Sequence, residues 1–160
     1  MKNNPILIVL GEPNSIFSEI LFKTYKLNIL NKFSRPMLII GSIDLLKLQM
    51  KLLKYSLKIK EIKFFDIRNT YLDNKYINVL NVKYNFKKPF DKISQKSNSY
   101  IDNCFKIALN LLKSNSSYAL INGPISKAHF LKKKYLGITE YLANKTEIKK
   151  KPTMLIYNPA

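Results

Sequence analysis

The chain has 160 residues, of which 46% are hydrophobic, and it carries a formal net charge of +18. A chain of this size and apolar content can bury a core, so the composition excludes a disordered protein and predicts a single domain or a part of a larger one. The single cysteine, Cys104, excludes an intrachain disulfide and a cysteine-based metal site. No apolar run reaches the ~18 residues that a membrane span needs, and we expect a cytoplasmic protein.

The positive charge allows two interpretations. Clustered basic residues favour nucleic acid, because they release counterions from its phosphate backbone. Of the 28 basic residues, however, only Arg35 and Arg68 are arginine, and arginine is the residue best suited to phosphate and base recognition. Runs of three lysines occur only at residues 132–134 and 149–151. The lysines are therefore interpreted mainly as solvated surface, and a small basic nucleic-acid-binding module is the alternative.

The first part of the chain predicts two strand-helix units. Residues 6–10 form an apolar run that ends at Gly11, which is typical of a strand buried on both faces of a parallel sheet. Asn14 and Ser15 are candidate caps of the next helix, whose apolar residues at helical spacing are Ile16, Ile20, Leu27 and Leu30.

The second unit repeats this plan. Residues 37–40 are an apolar strand followed by Gly41, and Ser42 is a candidate cap for a helix that carries Leu45, Leu46, Leu48, Leu52 and Leu53. The alternation of strands and helices predicts an α/β fold with a parallel sheet.

The remaining elements are predicted from shorter patterns. Residues 60–67 and 77–82 are expected to be strands, and residues 98–112 an amphipathic helix with Cys104 as a buried structural thiol on its apolar side. A strand at 118–121 follows, and Pro124 permits a helix to start. A last strand is predicted at 153–157. No covering helix follows it, so the sheet is expected to be incomplete at its C-terminal end.

Polar residues follow the glycine-ended strands. Gly11, Gly41 and Gly123 are predicted to mark the edge at which open α/β sheets bind ligands. Lys127 lies just beyond one of these strands, where its ammonium group could pair with a phosphate or a carboxylate. Thr139 could donate its hydroxyl to a substrate oxyanion, but it is also a candidate N-cap for the helix that begins at Glu140.

The other candidates are weaker. The segment from Gly11 to Glu19 suits an anion at a helix N-terminus, but Pro13 and Ile16 stand where a dinucleotide fingerprint requires glycine. His129 is the single histidine and is expected to be a packed or surface residue. The acidic residues are too dispersed to predict a catalytic carboxylate pair.

Three segments resemble the family of 4-hydroxythreonine-4-phosphate dehydrogenase of vitamin B6 (pyridoxal phosphate) biosynthesis. They are Gly11-Glu-Pro, Ile121-Asn-Gly-Pro-Ile-Ser-Lys127 and Gly137-Ile-Thr-Glu-Tyr-Leu142. The family shows Gly-Asp/Glu-Pro-Ala-Gly-Ile-Gly-Pro-Glu after its first strand, then Gly-Pro-(Ile/Val)-x-Lys, and shortly afterwards Gly-His-Thr-Glu. The order and spacing agree, and the resemblance covers the 160 residues in outline.

The resemblance implies an α/β/α sandwich like that of isocitrate and isopropylmalate dehydrogenases. Residues 1–160 would be the N-terminal half of a two-domain enzyme, with the second domain beginning near residue 124. The enzyme would be a homodimer that binds NAD without a Rossmann motif. It would oxidise and decarboxylate 4-phosphooxy-L-threonine, a small phosphorylated hydroxy amino acid, with a divalent metal. Neither a specific nucleic acid nor a membrane would be a partner.

Individual positions follow from the same resemblance. Thr139 matches the substrate-contacting threonine and Lys127 the motif lysine, whereas Ile138 occupies the position of a substrate-contacting histidine. Its sec-butyl group cannot donate a hydrogen bond or carry charge. The family's metal-binding histidines lie further along a longer chain, so no metal ligand and no catalytic residue is assigned here.

These departures predict that the 160-residue chain alone is inactive, either as a fragment or as a truncated copy. The first motif also departs from the pattern, since Asn14, Ser15, Phe17 and Ser18 replace its small and glycine residues. A divergent subgroup acting on a related phosphorylated or carboxylated hydroxy acid is one alternative. A structural or regulatory partner that pairs with a full-length subunit through the unfinished sheet edge is another.

Overall fold

The computed structural model describes residues 4–67, 70–114, 119–132, 134–146 and 152–158. Their strands are β1 (Ile6–Val9), β2 (Met37–Gly41), β3 (Ile59–Ile62), β4 (Ile77–Asn81) and β5 (Ala119–Asn122). All neighbouring strands pair in parallel, in the order β3-β4-β2-β1-β5. The predicted α/β class is therefore confirmed.

Helices cover both faces of this sheet. The α-helices are α1 (Phe17–Lys26), α2 (Ile43–Leu52), α3 (Asn98–Ser114) and α4 (Ile138–Lys145). A π-helical turn spans Lys127–Leu131, and short 3-10 helices span Ile29–Lys32, Phe64–Asp66 and Gln95–Ser97.

The two cores follow from the alternation of side chains along a strand. Ile8 and Ile39 belong to a core that also contains residues of α1 and α2, whereas their neighbours Leu7 and Leu38 belong to a second core with residues of α3 and α4. The protein is thus an α/β/α sandwich, as expected.

The first helix buries a different face from the predicted one. Ile16, Ile20 and Leu27 are 68%, 49% and 59% exposed, while the buried residues of α1 are Ser18, Leu21, Phe22 and Tyr25. Two sides of this segment are apolar, so spacing alone could not decide which side packs on the sheet. Neither predicted cap holds the N-cap position, which belongs to Ile16 and carries no side-chain capping bond. Ser15 nevertheless bonds the helix start, because its Oγ accepts from Phe17 N, the first amide of α1, at 3.3 Å.

The predicted elements after α2 are confirmed only in part. β4 and α3 are confirmed, and β3 is shorter than expected because a 3-10 helix follows it. The predicted helix after Pro124 is a π-helical turn, which begins at Lys127 after its N-cap Ser126. Tyr118, predicted to start a strand, lies outside the described residues.

The last predicted strand does not form. Residues 152–158 have no regular secondary structure, and Met154, Leu155, Ile156 and Tyr157 are 71–90% exposed. A strand needs a paired neighbour to satisfy its backbone, and none is present beside this segment in the described part of the chain. β5 therefore forms one edge of the sheet, with Ile121 46% exposed.

Cys104 is a structural thiol, as predicted. It is 1% exposed within α3, and burial raises its pKa to about 12 against the opposing effect of a hydrogen bond with Tyr100. A thiol held protonated in this way is a poor nucleophile. Among the described residues, no helix is both long enough and apolar enough to span a membrane.

Candidate functional site

Two loops touch at the carboxyl edge of the sheet. Gly11 has a φ of +73°, Glu12 N donates to Pro124 O at 2.8 Å, and Gly123 N donates to Val9 O at 2.7 Å. A Cβ atom on either glycine would lie 2.2 Å from a backbone oxygen, that of Pro124 or of Leu10. This contact, the β1–β5 junction, therefore requires glycine on both sides.

The residues that follow β2, the third strand that ends at a glycine, form hydrogen bonds within the protein. Ser42 Oγ accepts from Leu45 N at 3.3 Å, which confirms the predicted N-cap of α2. Ser42 N donates to the Tyr100 hydroxyl at 3.0 Å, and Ile43 N donates to Asn81 Oδ1 at 3.1 Å. The backbone amides of Ser42, Ile43 and Leu45 are thus bonded within the protein.

Glu12 is the most buried acidic residue at this edge, with 3% of its surface exposed. Its Oε1 accepts from Asn14 N and from Asn14 Nδ2, both at 3.2 Å, and its Oε2 accepts from Ser97 Oγ at 2.9 Å. Asn14 Oδ1 in turn accepts from Asp91 N at 2.9 Å. These bonds fix the loop after β1 to the segment before α3.

Gln49 of α2 adds a second link between the same segments. Its Nε2 donates to Pro13 O and to Pro89 O, both at 2.8 Å. Residues 11–15, 89–97 and 122–127 together form what we call the carboxyl-edge platform.

The three predicted substrate-binding residues lie on two elements. Lys127 is the first residue of the π-helical turn and is exposed, whereas Ile138 and Thr139 are the first two residues of α4 and are partly buried. The two elements are joined by aromatic packing, with ring centroids of Phe130 and Tyr141 5.0 Å apart.

The capping interpretation of Thr139 is wrong. Gly137 holds the N-cap position of α4 in an extended conformation, with a φ of −156°, and Thr139 lies inside the first turn. The alternative, that its hydroxyl contacts a substrate, stays a prediction.

Sequence analysis also missed a polar contact between α3 and α4. The Tyr141 hydroxyl donates to Asp102 Oδ1 at 2.6 Å, and Lys145 Nζ lies 2.6 Å from the same oxygen. Partial burial acts to raise the pKa of Asp102, but hydrogen bonds from Lys145 and Tyr141 outweigh it and lower that pKa. The residues are 39 and 43 positions apart in sequence (141 − 102 and 145 − 102), so no local pattern marks them.

Asp102→Asn is expected to lower the free energy of unfolding by about 0.5 kcal/mol at neutral pH, because ion pairs whose side chains stay largely accessible to water, here 40% and 39% exposed, contribute little. The lowered pKa means that the contribution of Asp102 is complete above the pKa of the unfolded residue, about 3.9. It is lost as the pH falls through the lower folded value. Urea unfolding at neutral and acidic pH should therefore show the two proteins converging in acid. A difference that stays constant, or a more stable variant, would contradict this, and Glu61→Gln at an exposed site controls for the lost charge.

His129 and the acidic residues of the described ranges do not form a metal site. His129 lies in the π-helical turn, where its N donates to Ser126 Oγ at 3.2 Å and its carbonyl accepts from Asn98 Nδ2 at 2.8 Å. Within the described ranges, no group of three His, Cys, Asp or Glu side chains could hold a metal ion. These residues therefore do not fit the divalent metal that the resemblance implies.

Comparisons with known proteins agree with this fold. The model of the family described as "Pyridoxal phosphate biosynthetic protein PdxA" matches residues 32–160. A comparison with the sequences of curated proteins gives no match.

Several solved structures are similar to this chain. A 4-hydroxythreonine-4-phosphate dehydrogenase from Burkholderia phymatum superposes with a TM-score of 0.77 at 21% identity, over 92% of this chain and 44% of that one. The enzyme of the same name from Klebsiella pneumoniae has a TM-score of 0.70 at 19% identity, over 90% and 45% of the two chains. Such identities show the fold alone, and the chain spans less than half the length of these structures.

Proposed function

Because the chain belongs to the family of the pyridoxal phosphate biosynthetic protein PdxA, we propose that it forms the N-terminal half of an NAD-dependent dehydrogenase. The substrate of that enzyme is 4-phosphooxy-L-threonine, which it oxidises and decarboxylates in vitamin B6 biosynthesis. The family match over residues 32–160 carries the proposal. The carboxyl-edge platform supports it, because parallel α/β sheets bind ligands at this edge.

Three side chains are proposed to contact the substrate. Lys127 is exposed just beyond β5, where its ammonium group pairs with the phosphate or the carboxylate of the substrate. Thr139 donates its hydroxyl to a substrate oxygen. Ile138 offers an apolar contact where the family has histidine, so the pocket suits either this substrate or a related phosphorylated hydroxy acid.

The rest of the enzyme is proposed to supply the chemistry. NAD would accept the hydride. A divalent metal would be held by residues outside this chain, since the described residues contain no group of three His, Cys, Asp or Glu side chains that could hold one. We further propose that the second domain begins near residue 124, that the enzyme is a cytoplasmic homodimer, and that residues 1–160 alone are inactive.

The test is NADH formation by the native protein purified from its source, with its intact mass measured in parallel. With NAD and a divalent metal, 4-phosphooxy-L-threonine should be oxidised, whereas L-threonine, which lacks the phosphate, should not. A chain of residues 1–160 alone should give no NADH. Turnover by this short chain would overturn its proposed inactivity, and no turnover by the native protein would overturn the dehydrogenase function.

A nucleic-acid-binding module is the second candidate, and the net charge of +18 favours it. Binding that depends on phosphate contacts weakens steeply with salt, because each contact releases counterions. Affinity for RNA or DNA that falls in this way, together with no NADH formation by the native protein, would support this candidate instead.

A further inference from the structure

A small cavity lies beside the carboxyl-edge platform. Its volume is about 10 Å³, close to the smallest space that accommodates one water molecule. The polar residues that line it are Glu12, Ser15, Ser18, Gln49 and Tyr100. The cavity thus lies among the groups that connect the loop after β1 with α1 and α2.

Ser18 lines this cavity and carries an unsatisfied buried hydroxyl. The residue is 6% exposed, and its Oγ has no hydrogen-bond partner among the residues that the structure describes. Buried hydroxyl groups nearly always have a partner in the protein or an ordered water.

Glu12 supplies a second polar group that can accept a further hydrogen bond. Glu12 is 3% exposed, and its carboxyl group accepts three hydrogen bonds from neutral donors, two from Asn14 and one from Ser97. An ionised carboxylate offers about four acceptor sites. One more donor can therefore be accommodated, and a water molecule has two.

We propose that one internal water molecule occupies this cavity and bonds both to the Ser18 hydroxyl and to the Glu12 carboxyl group. The water extends the Glu12 network into the first turn of α1. It thereby holds residues 11–18 in place at the edge where the β1–β5 junction forms. The proposal rests on burial and hydrogen bonding alone, so it stands whether or not the dehydrogenase function is correct.

The sign of a stability change tests the proposal. If the water is present, Ser18→Ala removes one of its partners, and the urea midpoint should fall. If the cavity is dry, the same change removes an unsatisfied hydroxyl, and the midpoint should rise. Ser99→Ala is the matched control, because Ser99 is the exposed second residue of α3 as Ser18 is the second residue of α1. A midpoint equal to or above that of the control would overturn the proposal.

A crystal structure of the 160-residue chain supplies an independent test. A density peak within hydrogen-bond distance of both Ser18 Oγ and the Glu12 carboxyl group is expected. Crystals grown with a rubidium salt distinguish a water molecule from a monovalent cation in the cavity. An anomalous signal at this peak would identify a cation and overturn the proposal. An empty cavity would overturn it as well.

Discussion

Gly11→Ala is expected to lower the free energy of unfolding by about 3 kcal/mol or more. A left-handed conformation costs a non-glycine residue about 1–2 kcal/mol, and the φ of Gly11 is +73°. The new Cβ would also lie 2.2 Å from Pro124 O, so the β1–β5 junction would have to separate and the hydrogen bond from Glu12 N would be lost. Urea unfolding followed by circular dichroism measures the change.

Gly137→Ala is the matched control. Gly137 is extended, and a Cβ there meets only Glu140 Oε2, at 3.1 Å, which is the end of a flexible side chain. Its cost should stay within about 1 kcal/mol, typical of a changed N-cap. Equal losses for the two variants would show that the β1–β5 junction is not a tight contact.

Phe105→Ala is expected to cost about 3–5 kcal/mol, the range for removing a buried aromatic ring. Phe105 is fully buried on α3, and its ring centroid lies 6.2 Å from that of Phe130 and 5.5 Å from that of Tyr141. The ring therefore supports both the π-helical turn that carries Lys127 and the helix that carries Thr139. The free energy of unfolding in urea again measures the effect.

Phe65→Ala serves as the control, because Phe65 is 74% exposed and its loss should change stability by no more than about 0.5 kcal/mol. Phe105→Leu retains most of the side-chain volume, so its loss of stability should lie between those of Phe105→Ala and Phe65→Ala. This variant keeps the comparison informative if Phe105→Ala does not fold. A loss below about 1 kcal/mol for Phe105→Ala would contradict the proposed packing role.

The strands of the sheet were predictable because short sequence patterns mark them. Apolar runs that end in Gly11 and Gly41 mark β1 and β2, and Ser42 marks the start of α2. The first helix was not predictable in detail, since Ile16 and Phe22 lie on two apolar sides and only packing on β1 and β2 decides between them.

The site was predictable only in outline. The glycines located the carboxyl edge, but Glu12 depends on Ser97, which lies 85 positions further along the chain. No local sequence pattern predicts a contact between residues so far apart in the chain. An acidic residue directly after a glycine-ended strand was the one available signal. Residues 153–157 have strand-like composition, yet strand formation depends on a neighbour that composition cannot supply.

The proposed location of the ligand is the central claim, and nuclear magnetic resonance of the ¹⁵N-labelled 160-residue chain tests it most directly. On addition of 4-phosphooxy-L-threonine, amide signals of residues 11–15, 122–127 and 138–140 should shift, and those of Asn74 and Lys75 at the opposite edge should not. L-threonine should leave all of them unchanged. Shifts spread over the lysine-rich surface, equal shifts with L-threonine, or no shift at the carboxyl-edge platform would contradict the account.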